Sequence, residues 1–577
     1  MRRFVVVTCL LLATAAAHAL DITVQIEGLD SEQETNVRAF LSLEQEKTRK
    51  RLTEGRLRLL HREAPTEIRR ALQPFGYFKP KIESRLEQHE AGFQALYQIQ
   101  PGPRIKLAKV EFNVTGPGMD DTRFSMGLMG LNLHENDFLD QTRYKVLKQQ
   151  LLSDAIEAGY LDASYSIHEV RVDLDRYQAE IRLELASGPR YRFGEVRFVQ
   201  DILDPEFLAR YLRFRPGDPF SHEQLLTLQS NLIDSEYFSH VEVRTLRDEA
   251  VDGQVPTEVV LTPNKPNRYR IGLGFTTDTG PRVTLDWKRR LLGRNGHRML
   301  SELRLSAPHS SLKTEYTVPL ERPSKDSLSF SAQGDRFDTD TRRGERLLLN
   351  SARSVGLENH WRRTIGIDYS YEDFEVGAQD DNALLLVPYV SWSQLRSDGL
   401  YYIQRGHRIN LRFEGAADQL LSSTSYLQAH TNNKLIRGLG DGNWRILTRM
   451  ELGATLAQSL MELPASKRFF AGGDNSVRGF GWEEIGPQDS TGAVIGGRFL
   501  AVGSIELERL LTEKWSAAVF ADAGNAFDPD YTTDIEYSVG FGVRWHSPVG
   551  PIRVDLASAL SRDEPSVRLH IVIGPEL

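Results

Sequence analysis

Cysteine is almost absent from this 577-residue chain: the one example is Cys9. It sits in a segment with two arginines (Arg2, Arg3), an apolar run from Phe4 to Ala17 and the small-x-small Ala17-His18-Ala19. That is the pattern of an export signal over residues 1–19, with Leu20 as the first mature residue. A lipid-modified start at Cys9 fits poorly, because Thr8 is a poor neighbour for such a cysteine and the apolar run would be too short. The mature chain then has no thiol, which excludes disulfide staples and thiolate chemistry and is consistent with an oxidising, periplasmic or outer-membrane address. After the N-terminus no run of 18 apolar residues occurs, so helical membrane spans are excluded. Nor is positive charge in surplus: 71 basic against 79 acidic residues give −8, without the basic face a nucleic-acid binder needs.

Catalytic signatures are missing as well. No glycine loop ends in Lys-Ser/Thr, no Gly-x-Ser-x-Gly elbow occurs, and the histidines show no metal-ligand spacing. Asp278-Thr279-Gly280 looks like an aspartic-protease triplet, but it occurs once and between two strand-like stretches, where Asp and Gly make turns. Nothing points to an enzyme, and no cofactor is expected.

What is present, first, is repetition. A helical pattern running into Phe75-Gly76-Tyr77-Phe78 is followed by extended sequence and Pro101-Gly102-Pro103-Arg104. A second copy has Ala158-Gly159-Tyr160 and Ser187-Gly188-Pro189-Arg190, and a weaker third has Glu236-Tyr237-Phe238 before Asn264-Lys265-Pro266. Three units result, over residues 20–104, 105–189 and 190–265. Each opens with a strand (Thr23–Ile26, Lys109–Phe112, Glu195–Phe198), continues through helical sequence such as Asp140–Ala158, and closes with two strands, an α+β module. The recurring glycine-aromatic pair reads as a helix C-cap with a packed aromatic after it.

After Pro266 the texture changes to a period of two. Tyr269, Ile271, Leu273 and Phe275 share one face, as do Ile365-Ile367-Tyr369-Tyr371 and Tyr537-Val539-Phe541-Val543-Trp545, while Arg, Asp, Glu, Ser and Gly take the other. A soluble sandwich has the same alternation. The barrel reading is favoured by the lack of any helical interruption from 266 to 577, by aromatics at the ends of the apolar faces and by the export signal. At about 10 residues per strand plus turns, the stretch supplies about 16 antiparallel strands that close on themselves in a membrane.

One segment breaks this rhythm: a connection over residues 458–496 that contains Arg468–Pro487, with Gly472, Gly473, Gly479 and Gly481 around Val477-Arg478-Gly479-Phe480. Such a loop, rich in glycine and aromatics, is expected to fold into the lumen, and its arginine must then meet a carboxylate. Alternation places Ile505 and Leu507 outward with Glu506 inside, and Ala517, Val519 and Ala521 outward with Asp522 inside. Asp522, within Phe520-Ala521-Asp522-Ala523-Gly524, is the expected first partner of Arg478 and Glu506 the second.

The order of modules, barrel, VRGF loop and FADAG strand resembles the BamA-like superfamily of outer-membrane assembly and translocation proteins. The finer resemblance is to its TamA-like members. It rests on the loop phrase from Phe469-Phe470-Ala471-Gly472-Gly473 through Phe480 to Trp482, Ile485 and Pro487, on Gly542-Val543-Arg544-Trp545 through Asp555, and on the terminal Gly574-Pro575-Glu576-Leu577, which departs from the aromatic ending usual in outer-membrane proteins. The resemblance implies that the modules are periplasmic polypeptide-transport-associated (POTRA) domains. It further implies an inner-membrane-anchored TamB-like partner, unfolded outer-membrane or autotransporter-class clients, and contact with outer-membrane lipid. Two other readings stay open: a two-partner secretion pore, and a component of lipid transport.

Closure requires the first strand, Arg268–Thr277, to meet the last, Val567–Gly574, without a covalent turn. Gly272, Gly274 and Gly574 offer little packing there and Pro575 donates nothing to a ladder. The expected seam is weak, its pairing stops short of the C-terminus, and Gly272 lies near Val572. Lateral opening at this seam is the mechanism the resemblance implies.

Overall fold

A computed structural model of the chain describes residues 21–47, 52–89, 92–122, 124, 133–399, 402–440, 442–531, 533–547, 550–564 and 566–574. The export signal with Cys9 and the terminal Pro575-Glu576-Leu577 lie outside the described residues. Residues up to 196, with 214–226 and 245–257, form one compact unit; the remainder, barrel included, forms the other.

Three small sheets precede the barrel, each with the third-formed strand in the middle. The first holds β1 (Ile22–Glu27), β2 (Lys81–His89) and β3 (Gly92–Gln100) in the order β1-β3-β2. The second holds β4 (Lys106–Thr115), β5 (Ser164–Asp173) and β6 (Gln178–Ala186) in the order β4-β6-β5, and the third β7 (Arg192–Val199), β8 (Phe238–Thr245) and β9 (Gln254–Pro263) in the order β7-β9-β8. Apolar residues on one face of each central strand are buried, as Phe93, Ala95, Tyr97 and Ile99 are against the helix Glu54–Leu72. The helix Gln141–Glu157 of the second module starts where Asp140 accepts from the backbone N–H groups of Thr142 and Arg143, a side-chain N-cap.

The recurring glycine-aromatic pair does more than cap. Gly76 and Gly159 are left-handed, at φ +89° and +96°, and in the third module Glu236 takes the same conformation at +61°. The carbonyls of Gly76 and Gly159 each accept the N–H of the residue that opens the next module, Ile105 and Tyr191, and Asn264 Nδ2 donates to Glu236 O. The repeated arginines complete the joint: Arg104 Nε donates to Phe75 O and Arg190 Nε to Ala158 O.

The barrel is closed and has 16 strands in sequential order. They are β10 (Asn267–Thr276), β11 (Gly280–Leu292), β12 (His297–Leu305), β13 (His309–Pro319), β14 (Asp326–Asp338), β15 (Arg342–Gly356), β16 (Trp361–Val376) and β17 (Gln379–Ser397). Then follow β18 (Arg405–Ala416), β19 (Tyr426–Leu439), β20 (Trp444–Ala457), β21 (Phe499–Thr512), β22 (Trp515–Phe527), β23 (Glu536–Ser547), β24 (Gly550–Ala559) and β25 (Ser566–Ile573). Outward residues such as Tyr537, Val539, Phe541, Val543 and Trp545 are exposed, while inward Ser538 and Arg544 are buried. No helix among the described residues is long and apolar enough to cross a membrane.

The seam is weak, but its register differs from the sequence expectation. Strand β10 pairs with β11 along its whole length, whereas among the described residues its ladder with β25 is the single pair Thr276 opposite Val572, extended by Thr277 N–H to Ile571 O at 3.1 Å. Antiparallel strands that meet at their C-terminal tips leave most of both edges unopposed by described residues. Gly272 therefore faces Thr284 of β11 and not Val572, and the described pairing with β25 ends at Val572, ahead of Pro575. The physical reason is that closure of the barrel, not a local turn, sets this register, and β25 is anchored on β24 through Ile552 opposite Ile573.

The module joints give a first test. A Cβ at Gly159 would lie 2.9 Å from Phe220 O, whereas one at Gly217, also left-handed at φ +91°, meets nothing within 4 Å. Gly217→Ala should cost about 1–2 kcal/mol, the left-handed penalty alone, and Gly159→Ala clearly more. Urea unfolding of residues 20–265 followed by circular dichroism measures the difference.

Candidate functional site

The connection between β20 and β21 turns back into the lumen, where Val477 and Phe480 pack with Ala471, Ile485, Leu500, Val502, Ala526 and Ala559 in a buried cluster. That anchorage carries Arg478, 4% exposed, onto the inner wall. Its guanidinium grips Asp522 bidentately, Nε to Oδ2 at 2.7 Å and Nη2 to Oδ1 at 2.9 Å, and its own backbone N–H donates to the same carboxylate at 3.1 Å. Nη1 donates to Glu506 at 2.8 Å and to Asp555 at 3.0 Å, and Phe520 lies under the guanidinium, 3.3 Å from ring centroid to Cζ. A buried charge tolerates such a place only when its donors are met, and here the fork geometry of arginine meets them.

The structure thus brings Arg478 to both carboxylates named from the sequence and adds two residues that sequence reasoning missed. Asp555 of β24 is a third acceptor, and Arg544 of β23 bridges Glu506 at 2.7 Å and Asp555. Both lie in the quoted stretch Gly542–Asp555 at inward positions of the alternation, which is the signal that would have marked them. Gly524 has its own reason in the FADAG strand: a Cβ there would meet Ala501 O at 2.3 Å, so only glycine lets β21 and β22 approach. Gly274 and Gly574 take no part in the network; Gly274 lies opposite Arg282, and Gly574 follows the end of β25.

A second contact joins the loop to both sides of the seam. Asp474 of the loop exchanges backbone bonds with Asp278 of the β10–β11 hairpin, Asp278 N–H to Asp474 Oδ2 at 3.2 Å and Asp474 N–H to Asp278 Oδ2 at 2.6 Å. Gly479, at φ +95°, donates its N–H to His570 Nε2 at 2.8 Å, so Nδ1 carries the ring proton and donates to Asp474 Oδ1 at 2.6 Å. The ligand atoms of Asp278, Asp474 and His570 fall within 4.8 Å of one another. Both nitrogens of His570 are already engaged, so the arrangement is a hydrogen-bonded clasp that holds the first hairpin, the loop and the last strand together.

Two predictions follow from this geometry. Arg478→Ala takes the bidentate partner from buried Asp522 and leaves Glu506 and Asp555 to Arg544 alone; it should weaken loop docking by about 3–5 kcal/mol, read as faster proteolysis within 468–487, and Arg478→Lys, which cannot reproduce the fork, should rescue little. For Asp278, burial and then the charge of Asp474 push the carboxyl up to about 6, with His570 and Arg568 opposing. A carboxyl raised in the folded state favours folding below its ordinary value and loses that contribution as pH rises through 6. Loop protection should therefore fall between pH 5 and 7.5, and the Asp278→Asn protein should show a flat profile.

Comparison with known proteins agrees with this architecture. Residues 291–576 match the Omp85 superfamily domain, residues 23–101 the POTRA domain described as TamA domain 1, and residues 191–263 the POTRA family described as a surface antigen variable number repeat. The outer membrane protein assembly factor BamA of Nitratidesulfovibrio vulgaris (strain Hildenborough) is 23% identical over 575 residues, covering 92% of this chain and 69% of its own. The crystal structure of BamA from Haemophilus ducreyi lacking POTRA domains 1–3 superposes with a TM-score of 0.69 at 16% identity, over 82% of this chain and 99% of that one. CdiB from Acinetobacter baumannii reaches only 0.48 at 11% identity, over 82% and 90%. With a closed 16-strand barrel that matches almost throughout and POTRA domains ahead of it, the chain belongs to the Omp85 superfamily.

Proposed function

We propose that this protein is an outer-membrane factor for the assembly or secretion of β-barrel proteins, of the TamA kind, with its POTRA modules in the periplasm. The observation that carries the reading is the seam. Among the described residues most of the facing edges of β10 and β25 have no partner, and because unpaired backbone groups in hydrocarbon are costly, such edges are suited to use. An exposed edge is a template on which a client strand adds by backbone hydrogen bonds, whatever its sequence. The lumen is filled on one side by the docked loop, which favours a lateral route over the through-pore of a two-partner secretion system. No chemistry of bond cleavage is involved, and no nucleotide.

The TamA assignment is supported by the match of the first module to the domain described as TamA domain 1. It brings with it a TamB-like inner-membrane-anchored partner and autotransporter-class clients. Such a partner is met best by the most N-terminal module, whose sheet offers β1 and β2 as edges.

Two experiments separate these claims. The Thr276→Cys, Val572→Cys pair stands directly opposed across the seam, within the reach of a disulfide; the oxidised protein should lose client assembly and recover it on reduction, and full activity while oxidised would sink lateral opening. Deletion of residues 20–103 should abolish capture of the TamB-like partner while leaving the barrel inserted. Unchanged capture would remove the partner from the reading.

A further inference from the structure

Beside the seam lies a cavity of about 360 Å³, the size of a small-ligand site, and its charge is one-sided. Arg282, Arg408, Lys434, Arg449 and Arg553 line it against one carboxylate, Glu451, which is already held by His430 at 2.8 Å. Arg449 spends its donors on the carbonyls of Asp474 and Ser476. Arg282, Arg408 and Arg553 are different: among the described residues none of them has a carboxylate within 4.0 Å, and the Nε of Arg408 and of Arg553 is buried with no hydrogen-bond partner. Three other buried guanidiniums of the barrel, those of Arg478, Arg544 and Arg445, are met by carboxylates. Three converging guanidiniums without an anion are a site that lacks its ligand's charge.

The remaining wall identifies where that anion comes from. Thr276, Val572, Ile573 and Gly574 also line the cavity, so its side wall is the tip-to-tip junction of β10 and β25. On the outer face next to that junction, Tyr269, Ile271 and Leu273 of β10 and Val567 and Leu569 of β25 are exposed, Ile271 and Leu273 at 73% and 80%. A cationic pocket inside and an apolar strip outside, separated by one ladder pair, suit a molecule with an anionic head and hydrocarbon tails. We propose that this cavity binds the phosphate of a membrane lipid headgroup, admitted between β10 and β25, with the acyl chains left against the outer strip. Arginine forks match phosphate oxygens in pairs, and three of them supply more donors than a single carboxylate accepts. An acidic peptide segment fits the charge but has no use for the apolar strip. The proposal rests on the membrane placement given above and not on the assembly role.

The test is native mass spectrometry of the full-length protein in uncharged detergent, with no client present, so its outcome is independent of any assembly assay. Dioleoyl phosphatidylglycerol should be retained at least tenfold better than dioleoylglycerol, which has the same chains without the phosphate. The Arg282→Gln, Arg408→Gln, Arg553→Gln protein, checked as folded by its heat-modifiable gel migration, should lose at least tenfold of that occupancy. If the triple variant does not fold, Arg553→Gln alone should lower occupancy several-fold. Inorganic phosphate should compete, which would support recognition of the head; binding of inorganic phosphate without retention of the lipid would overturn the lipid source. Equal lipid occupancy in wild type and variant would mean adsorption to the outer surface and would overturn the site. So would an acidic hexapeptide that binds where the lipid does not.

Discussion

A permanently charged side chain held inside a barrel organises everything around it. Arg478 is delivered by a loop, but its position is fixed by strands: Glu506 from β21, Asp522 from β22 and Asp555 from β24, with Arg544 of β23 balancing the excess of carboxylates. Such a network gives little net stability over an apolar core, since the desolvation of each ion offsets most of the attraction. What it gives is specificity. A loop that must place one guanidinium against three carboxylates has one docked position, and that position also sets where Asp474 and His570 meet. The barrel wall, the loop and the seam are therefore parts of one constraint.

That constraint makes the seam conditional on the loop. Backbone pairing alone holds β10 to β25 at their tips, while the clasp through Asp278, Asp474 and His570 reaches both sides from within the lumen. An edge that has to open in lipid is best secured by groups that come apart without breaking a ladder, and hydrogen-bonded side chains do so.

Much of this was legible in the sequence, for reasons that can be named. Period-two alternation determines which face of each strand meets lipid, which places Glu506 and Asp522 inside, and a buried arginine demands such partners. Asp555 and Arg544 obey the same alternation, yet which inward residues meet across a lumen depends on strand tilt and stagger, which no local pattern encodes. The seam register escapes the sequence for the same cause: the alternation says that Gly272 and Val572 belong to the two facing strands but not which residues face each other, and closure sets Val572 against Thr276. Asp278 has the spacing of a turn residue and sits in a turn; its second contact, to Asp474, lies 196 positions away and leaves no trace in the spacing.

Sequence separation also bears on how such a molecule forms. Arg478 finds its carboxylates 28, 44 and 77 positions downstream, and Gly479 finds His570 at 91. The barrel's first and last strands are joined only by contacts spanning nearly 300 positions, such as Thr277 to Ile571 at 294. Contacts of short span close at lower entropic cost. The loop and strands β20 to β25 can thus be complete, as a curved sheet with its arginine already seated, while the first hairpin, itself a short-span pairing, is still apart from the last strand. In that order of events the loop is a mould: it gives the C-terminal sheet its curvature and presents Asp474 as the landing point for the hairpin that arrives last.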